Sequence, residues 1–131
     1  MASDKISVMV VSNTRERLQM AAMVASVGAV SGYQVSVFLS MNALAYFVKD
    51  DSPKKVPTEG HFGELLTSKN APPFLELFQQ AVELGDARIY PCSMAMDVLE
   101  LEKADLAEYV EEPQGLTRFL GDASEGQLWS F

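Results

Sequence analysis

Two short apolar runs, residues 5–12 and Gln34–Leu39, flank a stretch with helical spacing, and this arrangement constrains the chain more than any other feature. The first run is rich in Val and Ile and almost continuously apolar, as a strand covered on both faces must be. Between the runs, residues 15–30 carry Leu18, Ala22, Ala25 and Ala29 at helical spacing, with small side chains suited to close packing on a sheet. Asn13 and Thr14 supply a turn or N-cap, and Gly32 marks the helix end. Parallel neighbours need a crossover of this kind, so the first third of the chain predicts a β-α-β unit.

The remainder alternates in the same way. Ser40 caps a helix over residues 41–48. Residues 49–71, with Pro53, Pro57, Gly60 and Gly63, read as a long surface loop. Pro72 and Pro73 open a helix over residues 74–84 whose apolar face is Phe74, Leu77, Phe78, Ala81 and Val82, and Gly85 ends it. A short strand follows at 87–90, then a helix from Ser93 with Met94, Val98 and Leu101 at helical spacing. Residues 105–110 read as helical, 115–120 as a last short helix, and 127–131 as a final strand ending on Trp129 and Phe131. The order predicts one α/β domain over residues 1–131, with a mainly parallel sheet and right-handed crossovers.

Charge and cysteine count narrow the function. The net charge of −8, from 18 acidic and 10 basic residues, disfavours a nucleic-acid partner, which needs Lys and Arg to displace counterions. Residues 97–112 hold Asp97, Glu100, Glu102, Asp105, Glu108, Glu111 and Glu112 against Lys103 alone: a solvated face, or a docking patch for a basic partner. The N-terminal apolar run lacks a cationic n-region and the 35–48 stretch is interrupted by Ser36, Ser40 and Asn42, so neither a signal peptide nor a membrane span is expected. One cysteine cannot form an internal disulfide, which favours a reducing, cytoplasmic setting. One Cys and one His cannot supply a zinc tetrad, so no metal is expected, and no glycine-rich phosphate loop is present.

The single cysteine, Cys92, falls where the 87–90 strand ends and a helix begins. A thiol at a helix N-terminus meets unpaired N–H groups and the positive end of the macrodipole, which favour a thiolate. A free cysteine elsewhere is a small buried hydrophobe, and that reading stays open. In parallel α/β sheets ligands bind at the carboxyl ends of the strands, where Ser12, Asn13 and Thr14, Ser40, Met41 and Asn42, and Cys92 all emerge. His61, the one histidine, lies in the Pro/Gly loop, and nothing in the sequence brings it to Cys92.

The segment Pro91-Cys92-Ser93-Met94-Ala95-Met96-Asp97 resembles the cysteine motif, Cys-x-Met-x-Met-Asp, of the DsrE/DsrF-like sulfur-trafficking proteins. Residues 34–40, with Leu44 following, are similar to that family's second strand and helix start. The resemblance implies a three-layer, mainly parallel five-stranded sheet with helices on both faces, flavodoxin-like, in a homo-oligomer without cofactors. It also implies a cysteine, here Cys92, that carries sulfur as a persulfide or bound thiosulfate between TusA-like carriers and rhodanese-like sulfurtransferases. Some relatives carry a second cysteine further along the helix, where this chain has Glu100 and Leu101, so no intramolecular resolving thiol is expected. The resulting expectation is a cytoplasmic sulfur carrier or sulfurtransferase using Cys92, with Asn13, Thr14, Ser93 and Met94 as candidate binding residues. The competing expectation is a non-catalytic interaction or small-ligand module in which Cys92 is structural.

Overall fold

The two apolar runs pair in register, Ile6 opposite Val35 and Val8 opposite Val37, in a computed structural model that describes residues 4–50 and 54–131. These are β1 (Lys5–Val10) and β2 (Gln34–Leu39); β3 (Arg88–Pro91) lies beyond β2, and β4 (Gln127–Ser130) flanks β1 on the other side. Every pairing is parallel, and the order is β3-β2-β1-β4. The helices are α1 (Arg15–Val30), α2 (Met41–Leu44), α3 (His61–Ser68), α4 (Phe74–Gly85), α5 (Ser93–Val98) and α6 (Leu116–Ala123).

Side-chain alternation assigns the layers. Gly28 of α1 comes so close to Ile6 and Val35 that a Cβ there would lie 3.3 Å from both side chains, so these residues face α1. Leu18, Ala22, Ala25 and Ala29 are all buried, as their spacing predicts, and their small size lets α1 settle on the sheet and against α4. Phe38, three residues after Val35, points to the opposite face. There it stacks on Phe119 of α6, with ring centroids 4.9 Å apart. Helices thus cover both faces of a parallel sheet.

Among the described residues the sheet has four strands, where five were expected. The place of the fifth is taken by residues 110–114, which run beside β3 and touch it through two isolated parallel bridges, Val110 with Ile89 and Gln114 with Cys92. Glu111 donates its N–H to the Ile89 carbonyl at 2.7 Å. A regular parallel ladder would next use the N–H of residue 113 on the Pro91 carbonyl, but residue 113 is proline and has none. Gln114 makes that bond instead, at 3.0 Å, so one extra residue is accommodated and the ladder is broken.

Four further expectations are corrected. The 49–71 segment contains α3, a helix of eight residues, in place of a continuous loop. The 105–110 segment is not helical; a 3₁₀ turn covers Lys103–Asp105, after which Leu106 bridges Val48 and Val110 bridges Ile89. In α5 the buried residues are Ala95 and Met96, while Met94 and Val98 face outward. The helix over 41–48 is one α turn, α2, followed by a 3₁₀ turn over Ala45–Phe47. No helix among the described residues is long and apolar enough to cross a membrane.

Candidate functional site at the carboxyl ends of the strands

Cys92 continues the β3 ladder by one residue and then starts α5. Its N–H donates to the Leu39 carbonyl at 2.8 Å, and its own carbonyl accepts the Met96 N–H at 3.0 Å, closing the first helical turn. It is therefore the N-cap of α5, with extended backbone (φ −68°, ψ 124°). Its side chain makes no capping hydrogen bond to the first turn of the helix. The first N–H of the helix, that of Ser93, is taken by the Gln114 carbonyl at 3.1 Å. The residue is 5% exposed and packs with the core.

The neighbours of Cys92 are set by the strand order. β2 lies next to β3, so Ser40 and Met41 are the nearest strand-end residues; Ser40 is buried, and Met41 is exposed with the left-handed φ of 52°. On the other side stands Gln114, 7% exposed, whose Oε1 has no hydrogen-bond partner among the described residues. Ser93 and Met94 adjoin the thiol by sequence, and both are exposed. Asn13 and Thr14 emerge from β1, two strands away, which is roughly 10 Å at the usual strand spacing. Met41 was expected at this end of the sheet; Gln114 was missed by sequence reasoning. Pro113 is the signal that could have found it, because a proline beside a strand shifts the residue after it.

A separate network holds Thr14. Its Oγ1 donates to the Glu59 carboxylate at 2.5 Å, and Arg17 Nε donates to the same oxygen at 2.9 Å. Glu16 returns the contact, accepting the Glu59 N–H at 2.9 Å and the Gly60 N–H at 2.8 Å. Gly60 is the N-cap of α3, so a carboxylate from α1 occupies that helix N-terminus. Gly63 makes room for it: a Cβ there would stand 2.5 Å from Glu16 Oε1. His61, at the start of α3, is exposed, with Nδ1 3.5 Å from Glu64; no hydrogen bond joins it to Cys92 among the described residues.

This network carries a pH prediction. The Glu59 N–H, the largest influence, holds the Glu16 carboxyl below the usual carboxylate range against the opposing effect of desolvation. A folded-state value below the unfolded one means that the bonding is fully present above about pH 4.5 and is lost as pH falls through the lowered value. The protection factors of the Glu59 and Gly60 amides, taken against the intrinsic rate at each pH, are expected to fall across that range, and at neutral pH exchange should be faster in Glu16→Ala. Unchanged exchange in that variant would show that other contacts hold the segment.

An α/β domain with a parallel sheet, helices on both faces and a cysteine at a strand's carboxyl end is the class defined so far. The DsrE/DsrF/DrsH-like family model matches residues 60–131, more than half of the 131-residue chain, and the chain belongs to that family. The matched region contains Cys92 and the motif around it. Among solved structures the fold is similar to that of the ychN protein from E. coli, with a TM-score of 0.66 and 12% identity over 97% of this chain and 98% of that one. It is also similar to MTH1491 from Methanobacterium thermoautotrophicum, a protein of unknown function, with a TM-score of 0.63 and 9% identity over the same shares. No curated protein matches the sequence.

Proposed function

We propose that this protein is a sulfur carrier of the sulfur-relay type that loads sulfane sulfur or thiosulfate on Cys92 and passes it to a partner thiol. The observation that carries this reading is the position of its only cysteine: N-cap of α5, at the end of β3, inside the region that matches the family. Loading by tetrathionate forms a bond between Cys92 Sγ and a sulfane sulfur. The S–S bond of the donor breaks, thiosulfate leaves with the electron pair, and the thiol proton goes to solvent. A partner thiolate then attacks the adduct and releases Cys92. The partner proposed is a TusA-like carrier or rhodanese-like sulfurtransferase. The carboxylates of residues 97–112, on the chain that follows the thiol, support docking of a basic surface. A homo-oligomer is supported by an apolar groove between α1 and β4, lined by Met20, Val24, Val27, Tyr33, Trp129 and Phe131, beside the open edge of β4.

The burial of Cys92 favours a second reading, in which the thiol only fills the core of an interaction module. One experiment separates the two. After incubation with tetrathionate or polysulfide, the intact mass of the native protein is expected to rise by one thiosulfate-derived group or by sulfur, and that of Cys92→Ser to stay unchanged. Native spectra of the same samples count subunits, and transfer to a partner thiol should slow as salt is raised. An unmodified mass together with a thiol inert to alkylation in the folded state would establish the core reading.

A further inference from the structure

The other end of the sheet holds a cavity of about 720 Å³, within the roughly 300–1,000 Å³ of small-molecule sites. Its lining includes Lys5, Ser36, Asp86, Arg88, Tyr90 and Asp122. The strands explain how these residues meet. Ser7 stands opposite Ser36, and Ser36 opposite Arg88, so three polar residues form one row across β1, β2 and β3. Lys5 and Tyr90 lie two residues from that row on their strands and share its face. This is the face on which Phe119 of α6 covers Phe38, and Asp122 follows Phe119 by one helical turn.

Two features around this row are not what a structural network would show. Ser7, which lies outside the cavity lining, is fully buried, and its hydroxyl has no partner among the described residues, although a buried polar group is normally satisfied. Lys5, Asp86, Arg88 and Asp122 line one cavity, yet none of the four is ion-paired among the described residues. A serine at matched register in the interior of each of two mostly apolar strands is the corresponding sequence signal.

We propose that this cavity binds a small zwitterion of the short-peptide type. Lys5 and Arg88 sit two strands and two residues apart, which places their Cα atoms on the order of 12 Å from each other at ordinary sheet spacing. That span suits two carboxylates at the ends of an extended molecule, one on the Lys5 ammonium and one on the Arg88 guanidinium. Asp122, with Asp86 at the rim, receives the ligand's ammonium, and the Ser36 hydroxyl bonds to its backbone. The site is at the opposite end of β3 from Cys92, so it stands whether or not the thiol carries sulfur.

The test is titration of the thiol-free tripeptide Glu-Ala-Gly into ¹⁵N-labelled protein, read by amide shifts. Saturable shifts are expected at residues 5–7, 34–36, 88 and 122, with the same affinity in Cys92→Ser. N-acetylation of the peptide, which removes its ammonium, should weaken binding at least about tenfold. Arg88→Gln should weaken both peptides, and Asp122→Asn only the free-amine form; both residues are exposed, so neither change disturbs packing. Absence of saturable shifts, equal binding of the two peptides, or unchanged affinity in Arg88→Gln would each overturn the proposal.

Discussion

Replacing Phe119 by Ala is expected to cost about 3–5 kcal/mol of folding stability, the usual loss for a buried aromatic ring. Phe119 is 1% exposed and lies nearly parallel to Phe38, with 25° between the ring planes. It matters more than its area alone implies, because α6 has only eight residues, and of these only Phe119 and Ala123 are buried. A helix that short does not persist in water without tertiary contacts. Loss of the ring therefore opens a cavity over Phe38 and releases the helix that covers this face of the sheet. Urea denaturation should show a lower midpoint, and hydrogen exchange should show early loss of protection in residues 116–123. A loss below about 1 kcal/mol would mean that α6 is held by something other than the ring stack.

Gly85→Ala is expected to destabilise despite the better helix propensity of alanine, which on its own favours the variant by about 1 kcal/mol. The reason is the approach of α4 to α1. A Cβ on Gly85 would lie 2.4 Å from the Ala29 Cβ and 2.7 Å from its carbonyl carbon, so backbone as well as side chain is in the way. Separating the two helices costs about 1–3 kcal/mol. Pairing the change with Ala29→Gly should restore part of the loss, since the nearer contact disappears and the one to the carbonyl carbon stays. Thermal denaturation of the single and double variants measures both effects. A single variant as stable as the parent would show that the α1–α4 seam gives way without cost.

The elements legible in the sequence are those whose own residues specify them. β1 and β2 are mostly apolar, α1 and α4 carry full helical stripes, and Cys92 follows a strand and precedes a helix. What escaped depends on partners far along the chain. α3 is hidden among glycines and prolines, and the carboxylate at its N-terminus comes from Glu16, 43 residues before Glu59. The Met94–Val98 spacing is helical, but with only six residues the face that packs is set by Ala95 and Met96, and Met94 and Val98 turn outward. The polar row on the sheet was also invisible, because serines at 7 and 36 acquire meaning only once β1 and β2 are in register.

The break at Pro113 acts like a frameshift. Continued from the bridge between Ile89 and Val110 without a skip, the pairing would set residue 113 beside Cys92, and the side chain of residue 114 would fall on the reverse side of the strand. The skipped position brings Gln114 level with the thiol instead. The polar neighbour of Cys92 is thus chosen by a hydrogen that the preceding proline does not have. Changes to this surface can therefore act through the phase of the chain as well as through the residues that line it.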